Sequence, residues 1–222
     1  MSLHAGGRFV TLEGGEGAGK STQAARLVEA LAERGIRAIA TREPGGSPRA
    51  EEIRRVILSG SASRLGPLAE ALLFSAARAD HLAATIRPAL ARGDWVVCDR
   101  FADSTRAYQG AAGGLDIGVI NALERIVVGD TTPDLTIVLD IPAAAGLQRA
   151  AIRRGTGEAV DRFEGETIAF HEALRRGFLD IAARAPGRCA VVDASADADT
   201  VAKHVLAVVQ GRLLSPSKPS PP

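Results

Sequence analysis

An α/β fold, with a parallel sheet covered by helices on both faces, is predicted by two features of the sequence. Short apolar, β-rich runs alternate along the chain with longer stretches of helical periodicity, the pattern of repeated strand–helix–strand units. The first of these runs, Phe9-Val10-Thr11-Leu12, opens directly into a glycine-rich turn, beyond which Ala24, Leu27, Val28 and Leu31 recur at helical spacing. Strands joined this way are parallel and buried, and a site is expected at their carboxyl ends.

The turn carries the chemistry. Gly14-Gly15-Glu16-Gly17-Ala18-Gly19-Lys20-Ser21 fits G-x-x-x-x-G-K-[ST] between a strand and a helix, the setting of a phosphate-binding loop and hence of the P-loop NTPase fold, here with five strands. Its glycines let backbone N–H groups turn inward around an anion, and the helix start adds unpaired N–H groups and the positive end of a dipole. Residues Gly14 to Thr22 are therefore expected to hold ATP. Lys20 reaches the β and γ phosphates, and the Ser21 hydroxyl can ligate Mg²⁺. The bland alternative, a glycine-rich turn before an ordinary helix, is disfavoured by the strand and helix on either side.

The 222 residues suffice for one α/β domain with a real core, placed at residues 1–213, followed by a Pro/Ser-rich tail at 214–222 that is expected to be disordered. A net charge of +1 gives no broad field to draw in nucleic acid or a membrane surface. Cys98 and Cys189 sit in apolar runs and are expected as buried core thiols, not a disulfide or a zinc site. Residues 1–7 lack an apolar targeting core and no run approaches a membrane span, so a soluble cytoplasmic protein is predicted.

After the first helix, Arg34-Gly35 is a stop signal and residues 36–41 read as the second strand. Pro44-Gly45-Gly46 forces a loop, from which Ser47 caps a helix to Leu58 with Ile53, Val56 and Ile57 on its apolar face. Pro67 starts an alanine-rich helix that runs to Ala91 with a kink at Pro88. Trp95 to Cys98 is the third strand, ending at Asp99-Arg100, where a carboxylate facing Mg²⁺ or its water shell is expected. Residues 103–110 read helical and 110–114 flexible. Asp116 caps a helix to Val128, residues 135–139 form the fourth strand, and Pro142 opens a helix toward Arg154. A glycine turn at 155–157 interrupts it. A helix at 161–183, a fifth strand at 190–192 and a closing helix at 200–213 complete the chain.

Several residues near these strand ends carry two readings each. Phe74 and Arg78, four apart on one helix, either stack on and hydrogen-bond a nucleobase or are a core Phe beside a solvated Arg. Arg100 either grips a second phosphate or makes a surface ion pair. Tyr108 and Gln109 line a cavity, or Tyr108 makes a structural hydrogen bond. Arg149, Arg153, Arg154 and Arg162 flank a flexible loop at about 149–164 and either form a short mobile lid over a triphosphate or are solvated helix charge.

Taken together, the phosphate loop with Glu13 before it, Thr41-Arg42-Glu43-Pro44-Gly45-Gly46, Phe74 with Arg78, Asp99-Arg100, Ala107-Tyr108-Gln109-Gly110 and the arginines before Phe163-Glu164 resemble the bacterial thymidylate kinases, from Arg8 to about Leu213. The resemblance implies a homodimer that moves the γ-phosphoryl of ATP to dTMP with Mg²⁺, giving dTDP and ADP on the way to dTTP. It implies that Phe74 stacks on thymine and Arg78 bonds its carbonyl edge, with Ser104 and Thr105 near the base. Tyr108 packs by the sugar, Arg54 and Arg100 hold the acceptor phosphate, and Glu13 lies by the 3′-hydroxyl or the metal. Glu43, Pro44 and Gln109 complete the acceptor set. Gly17 stands where one subclass carries a catalytic arginine, so Arg149 and Arg153 become the expected lid arginines. Two departures are visible: Phe101 follows Asp99-Arg100 where Tyr or His is usual, and the lid turn is slightly long, which leaves Arg153, Arg154 and Arg162 open as candidates. Two rivals stand beside this reading, a kinase for another nucleoside monophosphate and a P-loop ATPase switch without group transfer.

Overall fold

The computed structural model describes residues 6–155 and 162–214. Five parallel strands run in the order β2-β3-β1-β4-β5: β1 Phe9–Glu13, β2 Ala38–Arg42, β3 Trp95–Asp99, β4 Leu135–Asp140 and β5 Cys189–Asp193. β1 is central, with Leu12 in register with Asp99 on one side and Glu13 with Val138 on the other. The chain steps out from β1 to β2 and β3 on one side, then to β4 and β5 on the other. That reversal opens a crevice at the carboxyl ends, which is where Glu13, Asp99 and the glycine loop lie.

Alternation along the strands sorts the core. Val10 and Leu12 face one side with Val97, Ile137 and Leu139, and are covered by α1 (Lys20–Ala32) and α9 (Ala198–Val209) through Leu27, Leu31, Val201 and Val205. Phe9, Val96 and Cys98 face the other side, under Leu82, Ile86 and Leu90. There they continue into a cluster of Val138, Leu174 and Phe178 from α8 (Ile168–Arg184). Thr11 and Glu13 point to this second face as well, so two polar side chains lie fully buried beneath the crevice. Both cysteines are buried and free.

Several local expectations are corrected. α2 (Pro48–Leu58) begins after Ser47, but the Ser47 hydroxyl donates to Asp80 at 2.6 Å and leaves the helix end uncapped. Val56 on that helix is exposed; Ile57 alone of the expected face is fully buried. The long alanine-rich segment is not one helix. α3 (Gly66–His81) widens into a π-helical turn, Leu82–Ile86, before α4 (Arg87–Ala91) restarts with Pro88 in its first turn. A proline lacks an N–H and crowds the preceding turn, and the wider turn absorbs both effects.

After the short α5 (Ala102–Thr105), a second π-helical turn, Arg106–Ala112, runs through Gly110, which was expected in a flexible loop. A Cβ on Gly110 would meet Ile120 Cδ1 at 2.9 Å, so this glycine serves close packing against α6 (Ile117–Val127). Asp116 does cap α6, accepting from Gly118 and Val119 N–H. α7 (Ala143–Arg154) follows β4. α8 starts at Ile168 rather than 161, where the Thr167 hydroxyl oxygen accepts from Phe170 N–H at 3.2 Å. Residue 214 ends a π-helical turn (Gln210–Leu214). The rest of the expected tail, the tip of the lid and the start expected for the helix near 161 lie outside the described residues.

Candidate active site

The loop between β1 and α1 wraps the amino end of α1, and two of its glycines are dictated by close approach. Gly14 has φ 138° and a Cβ there would lie 2.5 Å from Leu139 O. Gly17 has φ 66° and a Cβ there would lie 1.9 Å from Gly146 O of α7. No side chain of any kind fits at position 17 without moving one of two backbones.

Lys20 is buried, and its ammonium donates to Gly15 O at 2.7 Å and Gly14 O at 3.2 Å. Burial, and then the neighbouring Arg100, push its pKa down to about 8 against the pull of Glu16 and Asp99. The Ser21 hydroxyl donates to Asp99 Oδ2. These two hard oxygens, one from the loop and one from the end of β3, are a donor set that Mg²⁺ accepts alongside phosphate and water. No cluster of three or more acidic, His or Cys ligands exists among the described residues.

Arg100 projects from the end of β3 with φ 69°, a left-handed conformation held by its own N–H donating to Leu12 O at 2.9 Å. Its guanidinium donates to Gly14 O at 3.0 Å and Glu16 Oε1 at 2.8 Å, and lies 4.9 Å from the centre of the Tyr108 ring. The Tyr108 hydroxyl donates to the same Glu16 oxygen at 2.6 Å. Burial alone would raise the Glu16 carboxyl; Arg100 and Lys20 outweigh it and hold the pKa down at about 2. Glu16 was expected only as part of the ATP loop. It is instead the hub that ties the loop to Arg100 and Tyr108 across the crevice.

The crevice is a cleft of about 390 Å³. At one end lie Glu16, Gly17, Gly19, Lys20, Ser21, Thr22 and Asp99; at the other, Glu43, Pro44, Arg54, Phe74, Arg100, Ser104, Thr105, Tyr108 and Gln109. Gly14, Gly15 and Ala18 form the body of the loop and do not line the cleft. Arg54 donates to Pro44 O at 2.6 Å. The Gln109 side chain is buried, and its Oε1 has no hydrogen-bond partner among the described residues.

Three expected site residues stand elsewhere. Arg78 does not line the cleft. Its guanidinium is 3% exposed by residue and donates to Glu43 Oε2 at 2.7 Å, Phe101 O at 3.0 Å and Thr105 Oγ1 at 3.2 Å, so it sits one layer behind the wall. Glu43 is gripped from its other side by His81 Nδ1 at 3.1 Å. Glu13 is fully buried below the cleft, accepting from Phe101 N–H at 2.8 Å and the Ser104 hydroxyl at 2.6 Å. Burial first, then Asp103, raise its carboxyl to about 7.

Arg149 is the third. It donates to Ala194 O at 2.7 Å, Ser195 O at 2.6 Å and Ala196 O at 3.3 Å, fastening α7 to the loop after β5, away from the cleft. Four residues along α7 is just over one helical turn, yet the preceding turn faces that loop while Arg153 reaches the cleft and contacts Glu164 at 3.3 Å. Arg162 faces Glu70 at 2.9 Å. Arg42, Leu58, Phe163 and Glu164 also line the cleft without having been assigned to it, Arg42 paired with Glu51 at 3.0 Å. Phe163-Glu164 follows the arginine-bearing stretch, and that proximity was the available signal.

A cleft with a phosphate loop at one end and a basic, aromatic wall at the other suits two nucleotides set end to end. The comparisons agree. The family model for thymidylate kinase matches residues 12–205. The chain is 59% identical over 208 residues to the thymidylate kinase of Nitrobacter hamburgensis, covering 94% of this chain and 90% of that one. It is 56% identical over 208 residues to that of Bradyrhizobium diazoefficiens, with coverage of 94% and 91%. The crystal structure of thymidylate kinase from Ehrlichia chaffeensis superposes with a TM-score of 0.75 at 34% identity, over 93% of this chain and all of that one. With the match spanning nearly every strand and helix that builds the cleft, the chain belongs to the thymidylate kinase family.

Proposed function

We propose that the chain transfers the γ-phosphoryl group of ATP to dTMP, giving dTDP and ADP. The observation that carries this reading is the cleft's second end. Phe74 offers a ring face and Arg54 and Arg100 offer cations, across the cleft from the phosphate loop.

The nucleophile is a phosphate oxygen, ionised near neutral pH because a phosphomonoester's second pKa is about 6. No general base is required, and catalysis reduces to alignment and charge. Lys20 and the loop N–H groups hold the donor phosphates, while Arg54 and Arg100 hold the acceptor phosphate. Arg153 at the lid root supplies positive charge as the phosphoryl group moves. Arg149 braces the lid helix. Ser21 and Asp99 would hold Mg²⁺, partly through water, and the ion would neutralise charge on the β and γ phosphates.

In the same reading residues 1–213 form one kinase domain and the protein acts in the cytoplasm; no described helix is long and apolar enough to cross a membrane. It works as a homodimer. Leu65, Leu68 and Leu72, spaced three and four apart at the start of α3, are exposed together, an apolar face suited to a second copy.

One coupled assay tests the function: ADP release with dTMP, dUMP, dCMP or AMP as acceptor. The expected order is dTMP, then dUMP, with dCMP and AMP near background. ADP release that ignores the acceptor, or AMP turnover equal to dTMP turnover, overturns the proposal.

A further inference from the structure

We infer that Arg162 is a positioning residue: its ion pair with Glu70 sets Phe163 as a wall of the acceptor end of the cleft. The inference rests on the dTMP-kinase reading for what that end binds. It assigns Arg162 a place that does not touch the transferred phosphoryl group.

Arg162 Nη2 lies 2.9 Å from Glu70 Oε1, an ion pair without hydrogen-bond geometry, with side-chain exposures of 22% and 5%. The same guanidinium carbon lies 4.6 Å from the centre of the Phe163 ring. Phe163 in turn packs at 6.2 Å from Phe74 and edge-on at 5.1 Å from Tyr108. Glu70 and Phe74 are four apart on α3, hence on one face. Two consecutive residues at the lid root therefore dock on two consecutive turns of the helix that carries the base-stacking ring. The next residue, Glu164, contacts Arg153.

Phe163 is itself buried within the cluster of Ile57, Tyr108, Leu174 and Phe178. Phe163 also borders a second cavity of about 160 Å³, lined among others by Gly66, Tyr108, Gln109, Arg162 and Phe170. The Arg162 guanidinium over its face, drawn to the buried Glu70 carboxylate, favours the ring position that lines the cleft over one turned toward this cavity. A side chain used this way changes how well the acceptor is gripped and leaves the donor end alone.

The test compares steady-state kinetics of Arg162→Met, Arg162→Lys, Glu70→Gln and the Arg162→Met/Glu70→Gln double variant, in the full chain, varying dTMP and ATP separately. Losing an anchor worth one ion pair is expected to raise the dTMP KM about tenfold in Arg162→Met and in Glu70→Gln, with kcat and the ATP KM changed less than about threefold. The double variant should be no worse than either single, and Arg162→Lys should recover most of the dTMP KM. A collapse of kcat with dTMP KM unchanged would overturn the inference in favour of a phosphate-contacting arginine. Additive effects, or kinetics unchanged throughout, would overturn it too. Should Arg162→Met fail to fold, the isosteric Glu70→Gln carries the test by itself. Wild-type turnover of dTMP is measured first. Its absence would defeat the function reading, whereas normal wild-type turnover with unaltered variants defeats only the role of Arg162.

Discussion

Replacing Glu13 with Gln should change how stability depends on pH. The carboxyl is completely buried, and burial together with Asp103 raises its pKa from 4.5 to about 7 against the hydrogen bond from Ser104, the charge of Arg100 and the Phe101 N–H. Between those two values the native state holds a proton that the unfolded chain has released, so stability falls as pH rises through the window. Below pH 4.5 both states are protonated; above 7 the penalty is complete. At about 1.4 kcal/mol for each tenfold change in proton affinity, the fall between pH 5 and pH 8 is about 2–3 kcal/mol. Gln cannot titrate. Its carbonyl can accept from Phe101 N–H and its amide can donate to Ser104 Oγ, a hydroxyl free to reverse its role. The wild-type profile should therefore lose about 2–3 kcal/mol relative to Glu13→Gln across this range, measured by reversible urea unfolding at several pH values without nucleotide. Profiles that stay parallel to within about 0.5 kcal/mol would refute the reasoning, because the proton would then not be held by Glu13.

Other consequences follow from the same geometry. Lys20, with its pKa near 8 in the free protein, should regain its full charge when a polyanion binds. ATP binding at pH 8 should thus take up about half a proton, read from calorimetry in buffers of different ionisation heat; uptake of none would place the ammonium charge elsewhere. Gly17→Ala forces a Cβ to 1.9 Å from Gly146 O at a positive φ. It should weaken ATP binding at least about tenfold and lower Tm by several degrees, and a normal ATP Kd would show the loop to be more pliable than its contacts imply. Arg153→Ala should cut kcat by about a hundredfold or more with the dTMP KM little changed, whereas a rise in KM alone would remove it from the transition state.

The sheet and the loop were legible because both depend on local pattern. A buried strand reads as an apolar run, and the glycines of the loop are spaced by the anion they surround. What the sequence hid was depth. Phe74 and Arg78 share a helix face, and nothing in their spacing tells that Phe74 reaches the cleft while Arg78 is turned to Glu43, Phe101 and Thr105 behind it. Arg149 and Arg153 share a face too. α7 runs past the β5 end, so one guanidinium meets three backbone carbonyls there and the other meets the cleft. Glu16 illustrates the same limit from the other side. Its place in the glycine motif marks it as a loop residue, and only the fold brings Arg100 and Tyr108, 84 and 92 positions away, onto one of its oxygens.

These partners also separate Lys20 and Arg54 from Arg100 among the cleft's cations. Lys20 rests on the carbonyls of Gly14 and Gly15, and Arg54 on that of Pro44. Neutral acceptors are the weaker hold, so an arriving phosphate can replace them at small cost. Arg100 is bound to a carboxylate that stays ionised far below neutral pH, and its backbone is already in a strained conformation aimed into the cleft. It is therefore a fixed cation, shared between Glu16 and whatever anion sits beside it. The neighbouring Glu13, largely protonated below pH 7, adds little negative charge to offset it. A cleft arranged in this way presents mobile charge at Lys20 and Arg54, where phosphates first arrive, and rigid charge at Arg100, where donor and acceptor phosphates have to meet in line.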